Sequence, residues 1–109
     1  MSKFIYIYRG PATPMDRFTE EESAKQMAAW GEWMGKVGSA LVDRGAPFGD
    51  RTSVCDDGST VEPAEVQGYG VVEADSLEAA VALAEGHPFL SEGQGRFNLD
   101  IFELVDIAM

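Results

Sequence analysis

Phe4-Ile5-Tyr6-Ile7-Tyr8 is the stretch whose reading decides the fold, because every side chain in it is large and apolar or aromatic. A strand with one wet face alternates apolar with polar residues, so a strand with no polar position must be covered on both sides. Downstream, helical spacing recurs in only two segments, enough to cover one face of a small sheet. The second face is therefore expected to meet another copy of the chain, giving a homodimer assembled through the sheet.

With 109 residues the chain fits one α+β domain over 1–109, and a core of that size gains from such an assembly. Eight Lys and Arg stand against 19 Asp and Glu, a formal charge of -11, which repels nucleic acid and anionic membranes. No nucleic acid or membrane partner is expected. Cys55 is the only cysteine, so no internal disulfide can form, and a reducing, cytoplasmic setting is the default. Neither a signal peptide nor a membrane-length apolar run is legible.

Outward from the first strand, Arg9-Gly10 ends the ladder and Pro11 and Pro14 build a rigid loop. Thr19 with Glu22 makes a capping box, and Glu20 and Glu21 add charge suited to a helix start. Ala24, Met27, Trp30, Gly31, Met34, Val37, Gly38 and Leu41 then form a stripe that should face the sheet, with Trp33 beside it and Asp43-Arg44-Gly45 as the stop. Gly31, Gly35 and Gly38 weaken that helix, so close packing or a binding space is expected to compensate.

The middle is less regular. Ala46-Pro47-Phe48 suits an edge segment, Arg51 to Cys55 a strand, Asp56-Asp57-Gly58-Ser59 a tight turn and Thr60 to Val66 a returning ribbon. Gly68 to Ala74 is a clear strand. Asp75 and Glu78 open a second helix with Leu77, Ala80, Val81 and Ala84 on its apolar side, ending at Gly86 before Pro88. Gly93-Gln94-Gly95 leads to a last strand over Phe97 to Ile107, whose broken period two fits either a bulge or a second doubly covered strand. The order predicts a ferredoxin-like split fold, an antiparallel sheet with two helices on one face.

Three further pieces carry a family likeness: the opening Phe4 to Gly10, Trp30 to Met34, and Val66 to Ala80 with its Ser76-Leu77-Glu78-Ala79 helix start followed by His87-Pro88. In these the chain resembles the YCII-related and DGPF-domain proteins over nearly its full length. The resemblance implies a dimeric α+β barrel, and some similar proteins are proposed catalysts with a His-Asp pair. Others are linked to regulation.

His87 is the only histidine, placed after a helix and before Pro88. It serves either as a helix-terminal hydrogen-bonding residue or as a proton-transfer group oriented by Asp57 or Asp100. Arg9, where the first strand opens into its loop, can hold an anion or pair within this acidic chain. Tyr8, Trp30 and Tyr69 would supply an aromatic wall if they converge, so a small anionic or aromatic ligand is expected. No dinucleotide fingerprint, phosphate loop or zinc-spaced cluster is present, and no cofactor or metal is expected. Two functions remain in view: a small-molecule-binding or regulatory accessory protein, and a small lyase or isomerase using His87, an aspartate and Arg9.

Overall fold

The computed structural model describes residues 1–11, 19–91 and 93–107 of the chain. At its centre runs β1 (Ser2–Arg9), where Phe4, Tyr6 and Tyr8 are buried while Ile5 and Ile7, pointing the other way, are only partly covered. Then come α1 (Glu20–Val37), β2 (Leu41–Asp43), β3 (Ser53–Val54), β4 (Thr60–Val61), β5 (Val66–Ala74), α2 (Leu77–Leu83) and β6 (Asn98–Leu104). Four of the strands form an antiparallel sheet in the order β2-β5-β1-β6, and β3 pairs with β4 as a separate hairpin. Without that hairpin the order is the expected ferredoxin-like split arrangement.

Both helices supply the core on one face of the sheet. Trp33 and Val37 from α1, Ala80 from α2 and Ala84 at its C-cap pack on Phe4, Tyr6, Tyr8, Val72 and Ala74. A helix of seven residues leaves most of its terminal carbonyls without intrahelical donors, and neighbouring elements supply them here. The Tyr6 hydroxyl donates to the Ala80 carbonyl at 2.5 Å and Trp33 Nε1 to that of Leu83 at 2.9 Å, while just beyond the helix Lys36 Nζ donates to the Glu85 carbonyl at 3.1 Å. The polar tips of aromatic core residues thus fasten α2 to the sheet and to α1.

Three local expectations change. The long helix stops at Val37, because Gly38 takes φ 60 as its cap, and Leu41–Asp43 becomes the edge strand β2 instead of a further helical turn. Only the C-terminal half of α1 meets the sheet: Met27 is 76% exposed, whereas Trp33, expected beside the stripe, is 3% exposed and central to the core. A Cβ at Gly31, Gly35 or Gly38 would meet nothing within 4 Å, so close packing does not account for these glycines.

The helix starts follow the sequence closely. The Thr19 hydroxyl accepts from Glu22 N at 3.1 Å, capping α1, while Ser76, not Asp75, caps α2 by accepting from Ala79 N. On α2, Ala80 and Ala84 turn inward, and Leu77 and Val81 stay half exposed. β6 keeps its register against β1 without a bulge, Leu99 and Ile101 facing the core and Asp100, Phe102 and Leu104 facing away. Its apparent loss of period two comes from apolar residues on both faces. The irregularity lies instead at Tyr8/Arg9, where β1 slips against β5. Pro14 lies outside the described residues. Among those described, no helix is long and apolar enough to cross a membrane.

Candidate functional site

Pro88 begins a single 3-10 turn, Pro88–Leu90, and His87 caps it: Nδ1 accepts from the Phe89 backbone N–H at 3.1 Å. A neutral imidazole whose Nδ1 is an acceptor carries its proton on Nε2. Nε2 lies 3.2 Å from the Tyr8 hydroxyl, so His87 donates and the Tyr8 oxygen accepts. The hydroxyl proton of Tyr8 is thereby left for another acceptor. Gly70 makes room for this arrangement, since a Cβ there would stand 3.1 Å from the Tyr8 oxygen.

His87 is 1% exposed and ringed by aromatics, with centroids at 4.3 Å for Trp33, 4.7 Å for Trp30, 5.1 Å for Tyr8 and 6.2 Å for Tyr6. Burial penalises its charged form and pushes its pKa down from 6.5 to about 4. Burial likewise raises Tyr6 to about 12 and, with the nearby Tyr6 adding to it, lifts Tyr8 further. At neutral pH the pair is an uncharged imidazole and an un-ionised phenol, a hydrogen-bond relay rather than an ion pair.

Tyr8 forms part of the wall of an open cavity of about 660 Å³, a volume typical of small-molecule sites. Trp30, Trp33, Met34, Leu41 and Phe89 continue the apolar wall, and Phe48, Tyr69 and Phe97 add aromatic surface. Tyr8 and Phe89 stack at 5.1 Å, Phe48 and Tyr69 at 6.0 Å. The polar lining comes from Arg44, Arg51 and Gln67. Their loop is pinned in place: Asp43 Oδ1 accepts from Gly45 N at 2.8 Å, Phe48 N donates to the Gln67 carbonyl at 2.9 Å, and Pro47 bridges to Gly68. Gly45 holds φ 68, and a Cβ on it would fall 1.8 Å from the Tyr69 carbonyl oxygen, so only glycine lets the loop lie so close to β5.

Of the residues singled out in the sequence, Tyr8 and Trp30 share the cavity wall and His87 reaches it through Tyr8, while Tyr69 borders the cavity from a register position opposite Ile7 that directs its side chain to the other sheet face. The expected His87–aspartate pair is not formed, because both ring nitrogens are engaged with Tyr8 and Phe89. Asp57 caps the β3–β4 turn, accepting from Ser59 N at 2.9 Å and Ser59 Oγ at 2.6 Å, and these bonds lower its pKa. Asp100 sits on the sheet face away from the helices, opposite Ile7, where Arg9 Nη1 meets its Oδ2 at 3.1 Å and Asn98 its Oδ1 at 2.9 Å. Arg9 is thus spent on a surface ion pair and does not line the cavity. Arg44 and Arg51 are the cations that do, and the sequence reading passed over them.

A family model for the YCII-related domain matches residues 1–103. No functionally curated protein matches the sequence. Among solved structures, the chain is similar to 5-chloro-2-hydroxyhydroquinone dehydrochlorinase (TftG) from Burkholderia phenoliruptrix AC1100 in complex with 2,5-dihydroxybenzoquinone. The likeness covers 94% of this chain and 93% of that one at 18% identity, with a TM-score of 0.54, and at that identity it speaks to the fold.

Proposed function

The chain belongs to the YCII-related domain family, and from that premise we propose that it is a small-molecule-binding protein whose ligand is a planar aromatic or quinonoid ring held in the cavity above Tyr8. One observation carries this reading: aromatic residues from β1, α1 and the two connecting loops line one open space, and Tyr8 among them is hydrogen-bonded to His87. Rings favour such walls by offset and edge contacts worth about 0.5–1.5 kcal/mol per pair beyond burial. The dihydroxybenzoquinone bound to the structurally similar dehydrochlorinase is a ring of this class. Trp30 and Trp33 both face the cavity, so ligand entry should change their emission. Titration with 2,5-dihydroxybenzoquinone and 4-hydroxybenzoate is expected to saturate and to raise the melting temperature; no response to either compound at millimolar concentration would refute the reading.

A second reading, a small acid–base enzyme, is favoured by the Tyr8–His87 hydrogen bond. In it Tyr8 delivers its proton to an oxygen of the substrate, and His87 Nε2–H stabilises the phenolate left behind. His87 then acts through Tyr8 rather than through Asp57, Asp100 or Arg9. Turnover by a folded Tyr8→Phe variant equal to that of the parent would remove this enzyme reading.

We also propose that a second copy of the chain covers the outer sheet face. Ile5, Ile7, Val71, Phe102 and Leu104 lie there in adjacent register, and Phe102 and Leu104 are 56% and 43% exposed. An apolar face of this kind, rimmed by the Arg9–Asp100 pair, is suited to an isologous contact.

A further inference from the structure

Arg9 pairs with Asp100 on the outer sheet face, whereas neither arginine that lines the cavity has a carboxylate partner among the described residues. Arg44 makes no hydrogen bond or ion pair among the described residues, although it follows Asp43 directly. The Asp43 carboxylate is otherwise engaged: Oδ1 accepts from Gly45 N, and Oδ2 lies 3.4 Å from the Tyr69 hydroxyl. Among the described residues Arg51 is held by the backbone carbonyls of Gly49, Phe48 and Val66, which fix its direction, and has no carboxylate partner. Two arginines with no carboxylate partner among the described residues therefore border the same aromatic space from a loop that Gly45, Pro47 and Phe48 anchor to β5.

We infer that Arg44 and Arg51 are the anion-recognition residues of this cavity and that its ligand carries a carboxylate or an ionised ring oxygen. The inference rests on the aromatic-ligand reading and names the chemical class within it. Planar guanidinium forks suit such oxygens, and charge-assisted bonds of this kind are about twice as strong as neutral ones. The chain's overall charge of -11 works against an approaching anion, but its distant carboxylates are screened over a Debye length of about 8 Å while the guanidiniums act at contact. Tyr8 lines the same cavity, and its hydroxyl proton, not used in the bond to His87, calls for an acceptor oxygen. Carboxylate or enolate at the arginines and hydroxyl or carbonyl oxygen at Tyr8 describe a hydroxybenzoate or a hydroxyquinone.

Matched ligands that differ only in charge separate this from cavity binding as such. Binding of 4-hydroxybenzoate and of 4-hydroxybenzamide is measured by tryptophan emission for the parent, Arg44→Gln and Arg51→Lys at low and high salt. The parent is expected to prefer the carboxylate at least about tenfold, with the preference shrinking as salt rises. Arg44→Gln, whose side chain makes no hydrogen bond or ion pair among the described residues, should abolish most of the preference by lowering carboxylate affinity far more than amide affinity. Arg51→Lys, which keeps the charge and loses the fork, should lose part of it. Equal affinity for the two ligands in the parent, or an unchanged preference in Arg44→Gln, would overturn the anion assignment and leave the aromatic cavity standing. Binding of neither ligand would overturn the anion assignment, and the aromatic cavity with it if 2,5-dihydroxybenzoquinone also failed to bind.

Discussion

At the residue scale, His87 ties stability to pH. Its folded pKa of about 4 lies below the ordinary 6.5, so between these values the unfolded chain binds more protons, and stability rises with pH. The contribution is complete above about 6.5 and is lost progressively as pH falls toward about 4, amounting to roughly 3 kcal/mol in all. Melting temperatures of the parent should therefore fall more steeply between pH 7 and 4.5 than those of His87→Gln, the carboxylate background being common to both. Parallel curves would count against a buried neutral imidazole. Tyr8→Phe should cost about 1–3 kcal/mol in urea unfolding, since it leaves the Nε2 proton buried without an acceptor. The sequence identified His87 and Tyr8 separately but not as partners, for a contact between β1 and the turn after α2 depends on the tertiary arrangement. It missed the role of Arg44 for a related reason: an Asp two residues before a Gly suits a helix stop and a strand-to-loop turn equally well.

At the element scale, β1, β5 and the cap of α1 were legible because each is decided locally, by alternation or by a side chain three residues from its amide, while the start of α2 was read one residue early. The extent of α1 was not. Helical spacing continues smoothly from Ala24 to Leu41, and periodicity alone does not tell that the sheet ends beneath the last two turns or that Gly38 reverses the backbone. Trp33 follows from the same fact, because the axis of a helix touching at one end aims a narrower arc at the core than the full stripe suggests. Gly31 and Gly35 sit in open helix, so Gly31→Ala and Gly35→Ala should each stabilise the fold by up to about 1 kcal/mol in chemical denaturation. A loss of ligand affinity or of assembly in those variants, with stability gained, would mark that helix face as a contact surface. Gly45→Ala should instead destabilise by at least about 2 kcal/mol, combining a left-handed backbone with a collision against β5.

At the scale of the whole molecule, the twofold apolar character of Phe4 to Tyr8 resolves into two jobs on alternating residues. Tyr6 belongs to the core and Ile7 to the outer face, an assignment that the strand's sequence left open. Light scattering at micromolar concentration is expected to give twice 11.8 kDa, and Ile7→Lys should halve that mass while leaving the far-ultraviolet circular dichroism unchanged. A parent protein that remains monomeric would rule out the sheet-face assembly. The alternation in β1 also bears on how this chain can change over generations. Substitutions in the strand touch one face at a time, so cavity and outer surface can drift independently. Deleting a single residue between Phe4 and Tyr8 would instead exchange the two faces along the remainder of the strand, sending isoleucines toward α1 and tyrosines outward, with both flanking ladders out of step. A deletion scan should therefore find β1 far less tolerant than the β3–β4 hairpin, and lineages of this fold should vary in length at the hairpin and in side-chain identity at the strand.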